Sequence, residues 1–181
     1  MRAVLISIQP KWCELIAAGE KTLEVRKTKP AIETPFKCYI YQTKMKWLYS
    51  VLVRMNLPYI AELLTQGRGK VIGEFVCDFV YPITDGSDWV SNWLICKMSC
   101  LTEEEIRAYG GKFAWSISNL KIYKKPKELR EFYIWKKCNS CRRSGYENTA
   151  CLYDEDCRVP AVIERPPQSW CYVEEVCQWR N

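Results

Sequence analysis

The sequence predicts an α+β fold, a small mixed β-barrel with helices packed against its outside. Two observations lead to this prediction. Segments with strand patterns outnumber those with helix patterns, and they do not follow the strict βαβ alternation that a parallel sheet requires. The chain has 181 residues, of which 48% are hydrophobic, and this is enough material for one well-buried core.

The first three elements follow from local signals. Residues 3–8 are apolar and rich in β-formers, which predicts a strand. Pro10 suits the first turn of a helix, and Gly19 suits the position just after its end. After Gly19 the periodicity changes to two, because Leu23 and Val25 alternate with polar residues. This alternation predicts a strand with one apolar and one polar face.

The later elements are separated by turn residues and capping signals. Thr102 and Glu105 have the spacing of a capping box, which predicts the start of a helix that ends at Gly110. Further strands are predicted at 38–43, 70–81, 113–123, 159–163 and 169–176, and short helices at 57–66 and 126–132.

The composition excludes several classes of function. The sequence has no histidine, which excludes Ser-His-Asp and Cys-His triads and histidine-ligated metals. It has 27 basic and 21 acidic residues, and the net charge of +6 mildly favours a polyanionic partner. No apolar run approaches the roughly 20 residues that cross a bilayer, so no membrane association is expected. The N-terminus lacks a signal-peptide pattern, so we expect a cytoplasmic protein.

The strongest functional signal lies in residues 19–26. Lys21 lies in a predicted turn, and the predicted strand that follows places Thr22, Glu24 and Arg26 on one face. Three polar groups on one short face are costly to bury unless they line a wet cleft or pair with each other. The alternative interpretation is a solvent-facing edge strand with a contact between Glu24 and Arg26.

Five sequence motifs together carry a family resemblance. They are Ser-Ile-x-Pro-x-Trp from Ser7, Gly-x-Lys-Thr-x-Glu-x-Arg from Gly19, Val71 to Phe75, Ala114 to Ser118, and Pro167 to Trp170. These motifs resemble the ASCH domain of the PUA-like superfamily, as it occurs in bacterial and phage proteins. The resemblance covers roughly residues 3–135 and 159–177. It implies one ASCH-like barrel domain formed by 1–137 and 159–181, with a cysteine-rich insertion at 138–158.

The resemblance implies a cleft beside the Gly-x-Lys-Thr-x-Glu-x-Arg motif. Members of the family bind RNA or modified nucleobases, and some hydrolyse an acylated cytidine or cleave RNA. In the amidohydrolase branch, a lysine at the place of Lys21 and a glutamate at the place of Glu74 frame a threonine nucleophile. This chain has Glu24 at the place of that threonine, and Thr22 lies two residues away. A carboxylate is a poor replacement for a hydroxyl that attacks an amide, so binding without this reaction is the leading hypothesis.

The resulting site hypothesis places Lys21, Glu24 and Arg26 at the floor of the cleft, with Glu74 beside them. Arg26 would clamp a phosphate or a base edge, and the carboxylates would accept hydrogen bonds from exocyclic amines. The alternatives are a hydrolase that uses Lys21 and Glu74 on RNA or an acylated nucleoside, and a protein-interaction scaffold. The predicted ligand-binding residues are Lys21, Thr22, Glu24, Arg26 and, as a stacking wall, Trp89 in a polar loop-like stretch at 85–92 and Trp93 directly after it.

The cysteine-rich segment at 138–158 contains no Trp, Val, Ile, Phe or Met, so it cannot build a core of its own. Its spacing, Cys-x2-Cys-x9-Cys-x5-Cys, is compatible with one structural zinc ion held by four thiolates. Nearby basic residues would offset the net −2 charge of such a centre. The alternative is a loop with free thiols. The predicted zinc ligands are Cys138, Cys141, Cys151 and Cys157.

A basic segment runs from Lys121 to Lys137. It has seven basic residues against Glu128 and Glu131, with aromatic residues in between. This pattern fits a surface that binds a nucleic-acid backbone and stacks bases. The preferred interpretation is a different one, in which the rings are core residues and the lysines are solvated.

Overall fold

The computed structural model describes residues 2–44, 51, 53–57, 68–84, 89–137 and 158–175. Within these residues, no helix combines the length and the apolar character that crossing a membrane requires. The strands are β1 (Ala3–Ile8), β2 (Leu23–Arg26), β3 (Phe36–Gln42), β4 (Val71–Cys77), β5 (Val80–Pro82), β6 (Phe113–Ser116), β7 (Ser118–Lys127), β8 (Phe132–Lys137), β9 (Arg158–Val162) and β10 (Trp170–Glu175). The helices are α1 (Pro10–Ala17), α2 (Trp89–Ser99) and α3 (Glu103–Tyr109), with a 3-10 turn at Leu129–Glu131.

The described strands form two sheets. The larger has seven strands in the order β7-β4-β3-β1-β10-β8-β9, and the smaller has three in the order β2-β6-β5. The α+β class is therefore confirmed, but the described residues contain no closed barrel. The physical reason is that β7 and β9 each pair with one neighbour there, and that β2 belongs to a separate sheet.

Two long predicted strands are each divided between the sheets. The predicted strand at 113–123 is interrupted at Ile117, whose backbone N–H donates to the carbonyl of Thr22 at 2.9 Å. β6 therefore joins the small sheet while β7 joins the large one. The predicted strand at 70–81 divides in the same way into β4 and β5. At both places the chain passes from one sheet to the other, and these two connections link the small sheet to the large one.

β1 lies at the centre of the large sheet, and all six of its residues are buried. It pairs in parallel with β3 and antiparallel with β10. Because alternate side chains of a strand point to opposite faces, Val4 and Ile6 pack in one core cluster with Trp115, and Leu5 packs in another with Phe132. The large sheet is thus covered on both faces.

The helices α2 and α3 cover the small sheet. The sequence indicated a polar loop at 85–92, but α2 begins within that stretch, and its buried Ile95 packs with Leu23 of β2. The capping box of α3 is confirmed, since the Glu105 N–H donates to Thr102 Oγ1 at 3.1 Å and the Thr102 N–H donates to Glu105 Oε2 at 2.8 Å. With α2 packed on it, β2 is buried along its whole length.

Two predicted segments fall outside this description. Apart from Leu57, the predicted helix at 57–66 lies outside the described residues, as do residues 138–157 with all four predicted zinc ligands.

Candidate functional site

Three charged residues just before and within β2, namely Lys21, Glu24 and Arg26, are buried. α1 ends at Ala17, and Gly19 turns the chain with a left-handed φ of +77°. This turn carries Lys21 inward, and the side chains of Glu24 and Arg26 follow from β2. Lys21 is 2% exposed, and Glu24 and Arg26 are each 6% exposed. The charged residues of the predicted polar face are therefore buried, which contradicts the solvent exposure assumed in the alternative interpretation. Two other parts of that alternative are present, because β2 is an edge strand of the small sheet and Glu24 contacts Arg26.

The three charged side chains form a row. Arg26 Nη2 lies 2.9 Å from Glu24 Oε1, and Lys21 Nζ lies 3.4 Å from Glu24 Oε2. The backbone fixes both cations, because Lys21 Nζ donates to the Ser99 carbonyl at 2.6 Å and Arg26 Nη2 donates to the Ser7 carbonyl at 2.8 Å. One carboxylate is therefore held between two cations that are anchored to α2 and β1.

Two polar atoms of this row lack a hydrogen-bond partner among the described residues. They are Glu24 Oε2, an acceptor, and Arg26 Nε, a donor. A buried polar atom that makes no hydrogen bond costs roughly 1–3 kcal/mol, so such atoms usually meet water or a ligand. Burial lowers the pKa of Lys21, while the neighbouring carboxylate of Glu24 opposes this shift.

The row lies at the floor of a cavity of about 1300 Å³. Trp12, Tyr41 and Tyr109 contribute aromatic side chains to its wall, and Lys21 Nζ lies 5.2 Å from the centre of a Trp12 ring. Among the described lining residues, positive and negative charges are equal in number. The positive residues are Lys21, Arg26, Lys44 and Arg130, and the negative ones are Glu24, Glu105, Glu128 and Glu164.

Two other predicted ligand-binding residues are not among those that line this cavity. Thr22 is half-buried, and its backbone N–H donates to the Met98 carbonyl at 2.8 Å. Trp93 lies on α2, is 51% exposed, and has Lys97 Nζ 5.1 Å from its ring centre. Trp89 begins the same helix, and its side chain is outside the described part of the structure.

Glu74 is also absent from the cavity lining. In β4, Phe75 and Cys77 enter the core cluster around Trp115, so the alternation of the strand turns Glu74 to the other face of the sheet. There its carboxylate pairs with Lys37 Nζ at 2.9 Å and accepts a hydrogen bond from Tyr123. The structure does not bring Glu74 together with Lys21.

The environment of Glu74 predicts a pH dependence. Burial alone would raise its pKa, but hydrogen bonds from Tyr123 and Lys37 lower the pKa below its usual value. A carboxyl whose pKa is lowered in the folded state stabilises the protein above the pKa of the unfolded state, and this stability is lost as the pH falls. We expect Glu74→Gln to reduce the loss of thermal stability between about pH 5 and pH 3, relative to the parent. An identical pH profile for parent and variant would contradict this assignment.

In the part of the chain that the structure describes, no three or more Cys, Asp or Glu side chains come together as metal ligands. The described cysteines are free thiols, and Cys13, Cys38 and Cys77 are buried in the core. Burial raises the pKa of Cys13 to about 12 and that of Cys77 to about 11, which makes both thiols unreactive at neutral pH.

Much of the cavity wall could not be identified from sequence. Its contributors come from distant segments and have ordinary residue types, among them Glu105 of α3, Arg130 of the 3-10 turn and Glu164 after β9. The one signal available was the basic segment that contains Arg130. The backbone carbonyls of Ser7 and Ser99 accept hydrogen bonds from the two cations, and because every residue has such a carbonyl, the sequence does not predict which ones are used.

No protein-family model and no curated protein sequence matches this chain. Among solved structures it is similar to the ASCH protein of Zymomonas mobilis, with 17% identity, 95% of this chain and 87% of that chain covered, and a TM-score of 0.53. It is also similar to two variants of that protein, one with a serine-to-alanine and one with a tyrosine-to-phenylalanine substitution. Both comparisons give 17% identity, cover 95% of this chain and have a TM-score of 0.52, and they cover 88% of the first variant and 90% of the second. The chain thus has the ASCH fold, which confirms the resemblance at the level of fold.

Proposed function

Because the chain has the ASCH fold, we propose that its cavity binds a nucleotide-derived ligand, namely RNA or a modified base. The observation that carries this proposal is the pair of buried atoms at the floor that make no hydrogen bond among the described residues, Arg26 Nε and Glu24 Oε2, the latter with Lys21 Nζ at an ion-pair distance of 3.4 Å. A base edge presents donors and acceptors next to each other, which matches one acceptor beside one donor. A phosphate oxygen offers only acceptors and would add no hydrogen bond to Glu24 Oε2, which would keep only its ion pair with Lys21 among the described residues.

The charges of the cavity support the same ligand. The four cations and four carboxylates among the described lining residues balance, so the cavity as a whole offers a strongly anionic group little net attraction. In this binding mode, Arg26 donates to a carbonyl or ring nitrogen, and Glu24 accepts from an exocyclic amine. Trp12 and Tyr109, which both line the cavity, provide rings on which a base can stack.

The two alternative functions, a hydrolase and a protein-interaction scaffold, require different structural features. A hydrolase that uses Lys21 with Glu74 would need both side chains at one cavity, and their separation on different faces does not favour it. A protein-interaction scaffold would need no small ligand at all. Ligand identification therefore separates the proposed function from the scaffold, and an assay for turnover of RNA or acylcytidine separates it from the hydrolase.

The test is to isolate the full chain from cells, remove crude nucleic acid, and identify retained small molecules by mass spectrometry. The affinity of an identified nucleoside or nucleotide is then measured by calorimetry for the parent, Lys21→Ala and Arg26→Ala. Each variant removes a charged hydrogen-bond donor, so we expect binding to weaken by about tenfold or more. Lys97→Ala, which alters an exposed lysine outside the cavity, is the control. Parent-like binding by folded Lys21→Ala and Arg26→Ala would overturn the proposal.

A further inference from the structure

The strand β7 combines a free edge with a high positive charge. In the described residues it pairs only with β4, so its other edge has no strand partner there. Its sequence holds four lysines and no acidic residue. We call these lysines the basic edge: Lys121, Lys124, Lys125 and Lys127.

One end of the basic edge leads into the cavity. The residues that follow β7 directly are Glu128, Leu129 and Arg130, and all three line the cavity. Lys44, a further cation of the cavity lining, is exposed. At about 3.3 Å per residue, Lys121 and Lys127 are about 20 Å apart along the strand. A chain of a few nucleotides spans such a distance.

The start of β7, the strand that carries the basic edge, lies near an exposed aromatic pair. Phe79 and Tyr81 are 60% and 45% exposed, and their ring centres are 6.1 Å apart. The Phe79 N–H donates at 2.9 Å to Ser116 Oγ, two residues before β7 begins. Two exposed rings next to a cationic strand are the parts from which sequence-tolerant platforms for single-stranded nucleic acids are built.

Three described carboxylates near β7 are already engaged. Glu74 pairs with Lys37 and Glu128 pairs with Lys70, each at 2.9 Å, and Asp78 accepts a hydrogen bond from Ser118 Oγ. Among the described residues, Lys124 and Lys125 have no carboxylate within ion-pair distance, and both are exposed. Their charge is therefore available to an external anion.

Lysines on an edge strand also discourage edge-to-edge aggregation. That role explains the lysines of β7. It explains neither the exposed pair of Phe79 and Tyr81 at one end nor the continuity with the cavity at the other. Reversing the charge of the lysines separates the two roles, because a glutamate protects an edge as well as a lysine does but repels phosphate.

We propose that the basic edge binds the backbone of single-stranded RNA, with bases stacked on Phe79 and Tyr81 and one nucleotide of the same strand entering the cavity. This inference rests on the proposed function, and it specifies the ligand as a polynucleotide rather than a free nucleoside. The cavity, in which the charges of the described lining residues balance, binds a base. The phosphates of the same strand lie along β7.

The test measures binding of a fluorescent RNA of about 12 nucleotides to the full chain over a range of salt concentrations. The variants are Lys124→Glu with Lys125→Glu, and Phe79→Ala with Tyr81→Ala. We expect the lysine variant to weaken binding at least tenfold and to reduce the salt slope by about 1.4, the value for two contacts to a single strand. We expect the aromatic variant to weaken binding at least fivefold with an unchanged salt slope, since stacking carries no counterion release.

The control is Lys97→Glu with Lys112→Glu, which changes the net charge equally at exposed positions outside the cavity and the basic edge. Parent-like RNA binding by the lysine variant, or an equal loss in the control, would overturn the inference. Mononucleoside affinity is measured in parallel, and it should be unchanged in the lysine variant. Loss of mononucleoside binding in Arg26→Ala together with parent-like RNA binding in the lysine variant would leave the proposed function standing and remove only the basic edge.

Discussion

Arg26→Met is expected to lower the free energy of unfolding by about 3–5 kcal/mol, the usual cost of removing one partner from a buried ion pair. Arg26 Nη2 lies 2.9 Å from Glu24 Oε1, and both side chains are 8% exposed. Without the guanidinium, the Glu24 carboxylate keeps only Lys21, at 3.4 Å, among the described cations, and the Ser7 carbonyl loses the hydrogen bond from Arg26. Urea denaturation followed by circular dichroism measures the change.

A triple variant, Lys21→Met with Glu24→Leu and Arg26→Met, is the matched comparison. Replacing a whole buried charged cluster with apolar side chains of similar size is often neutral or stabilising. We expect the triple variant to recover most of the stability that Arg26→Met loses, because no buried charge is left uncompensated. It should nevertheless bind no nucleotide, since it lacks both the acceptor and the donor at the cavity floor.

The pair of variants therefore separates stability from function. If Arg26→Met were as stable as the parent, the row would be solvated rather than buried. If the triple variant bound nucleotides as the parent does, the ligand would be bound elsewhere. Stable protein without binding is the result expected of a charged row that is retained for recognition and not for folding.

The sequence predicts the local features of this fold well, because their causes lie within a few residues. The capping box at Thr102 and Glu105 and the helix start at Pro10 are examples. The polar face of β2 is another, since alternation alone places Glu24 and Arg26 together. α2 was missed because its apolar residues do not form one stripe: Ile95 is buried, while Trp93 and Leu94 are exposed.

The remaining errors concern relations between distant segments. Alternation predicts that Glu74 and Phe75 point to opposite faces, but it does not tell which face meets the cavity. That choice depends on the pairing of β4 with β3 and β7, where Glu74 lies opposite Tyr39 and Lys121. The absence of a closed barrel from the described strands depends on the interruption at Ile117, where one backbone hydrogen bond to Thr22 redirects the chain.

The zinc prediction concerns residues outside this description, but the described strands define where the segment starts and ends. β8 and β9 pair antiparallel, and their last partners are Lys137 and Arg158. Cys138 follows the first of these residues, and Cys157 precedes the second. The first and last predicted ligands thus adjoin two residues that the sheet holds opposite each other. We propose that Cys138, Cys141, Cys151 and Cys157 bind one structural zinc ion.

A segment with so few apolar side chains gains little from burial, while ordering it costs about 1–2 kcal/mol per residue in backbone entropy. Zinc bound to four thiolates supplies about 10 kcal/mol or more in small metal-dependent units, which offsets part of that cost. We therefore expect about one zinc per chain by elemental analysis of protein purified without chelator. Cys141→Ser should lose the metal and make 138–158 sensitive to protease, and Cys96→Ser, which changes a cysteine of α2, should keep both metal and resistance. Metal-free parent protein with an equally resistant segment would contradict the zinc site and favour packing of Tyr146, Leu152 and Tyr153 against the rest of the chain.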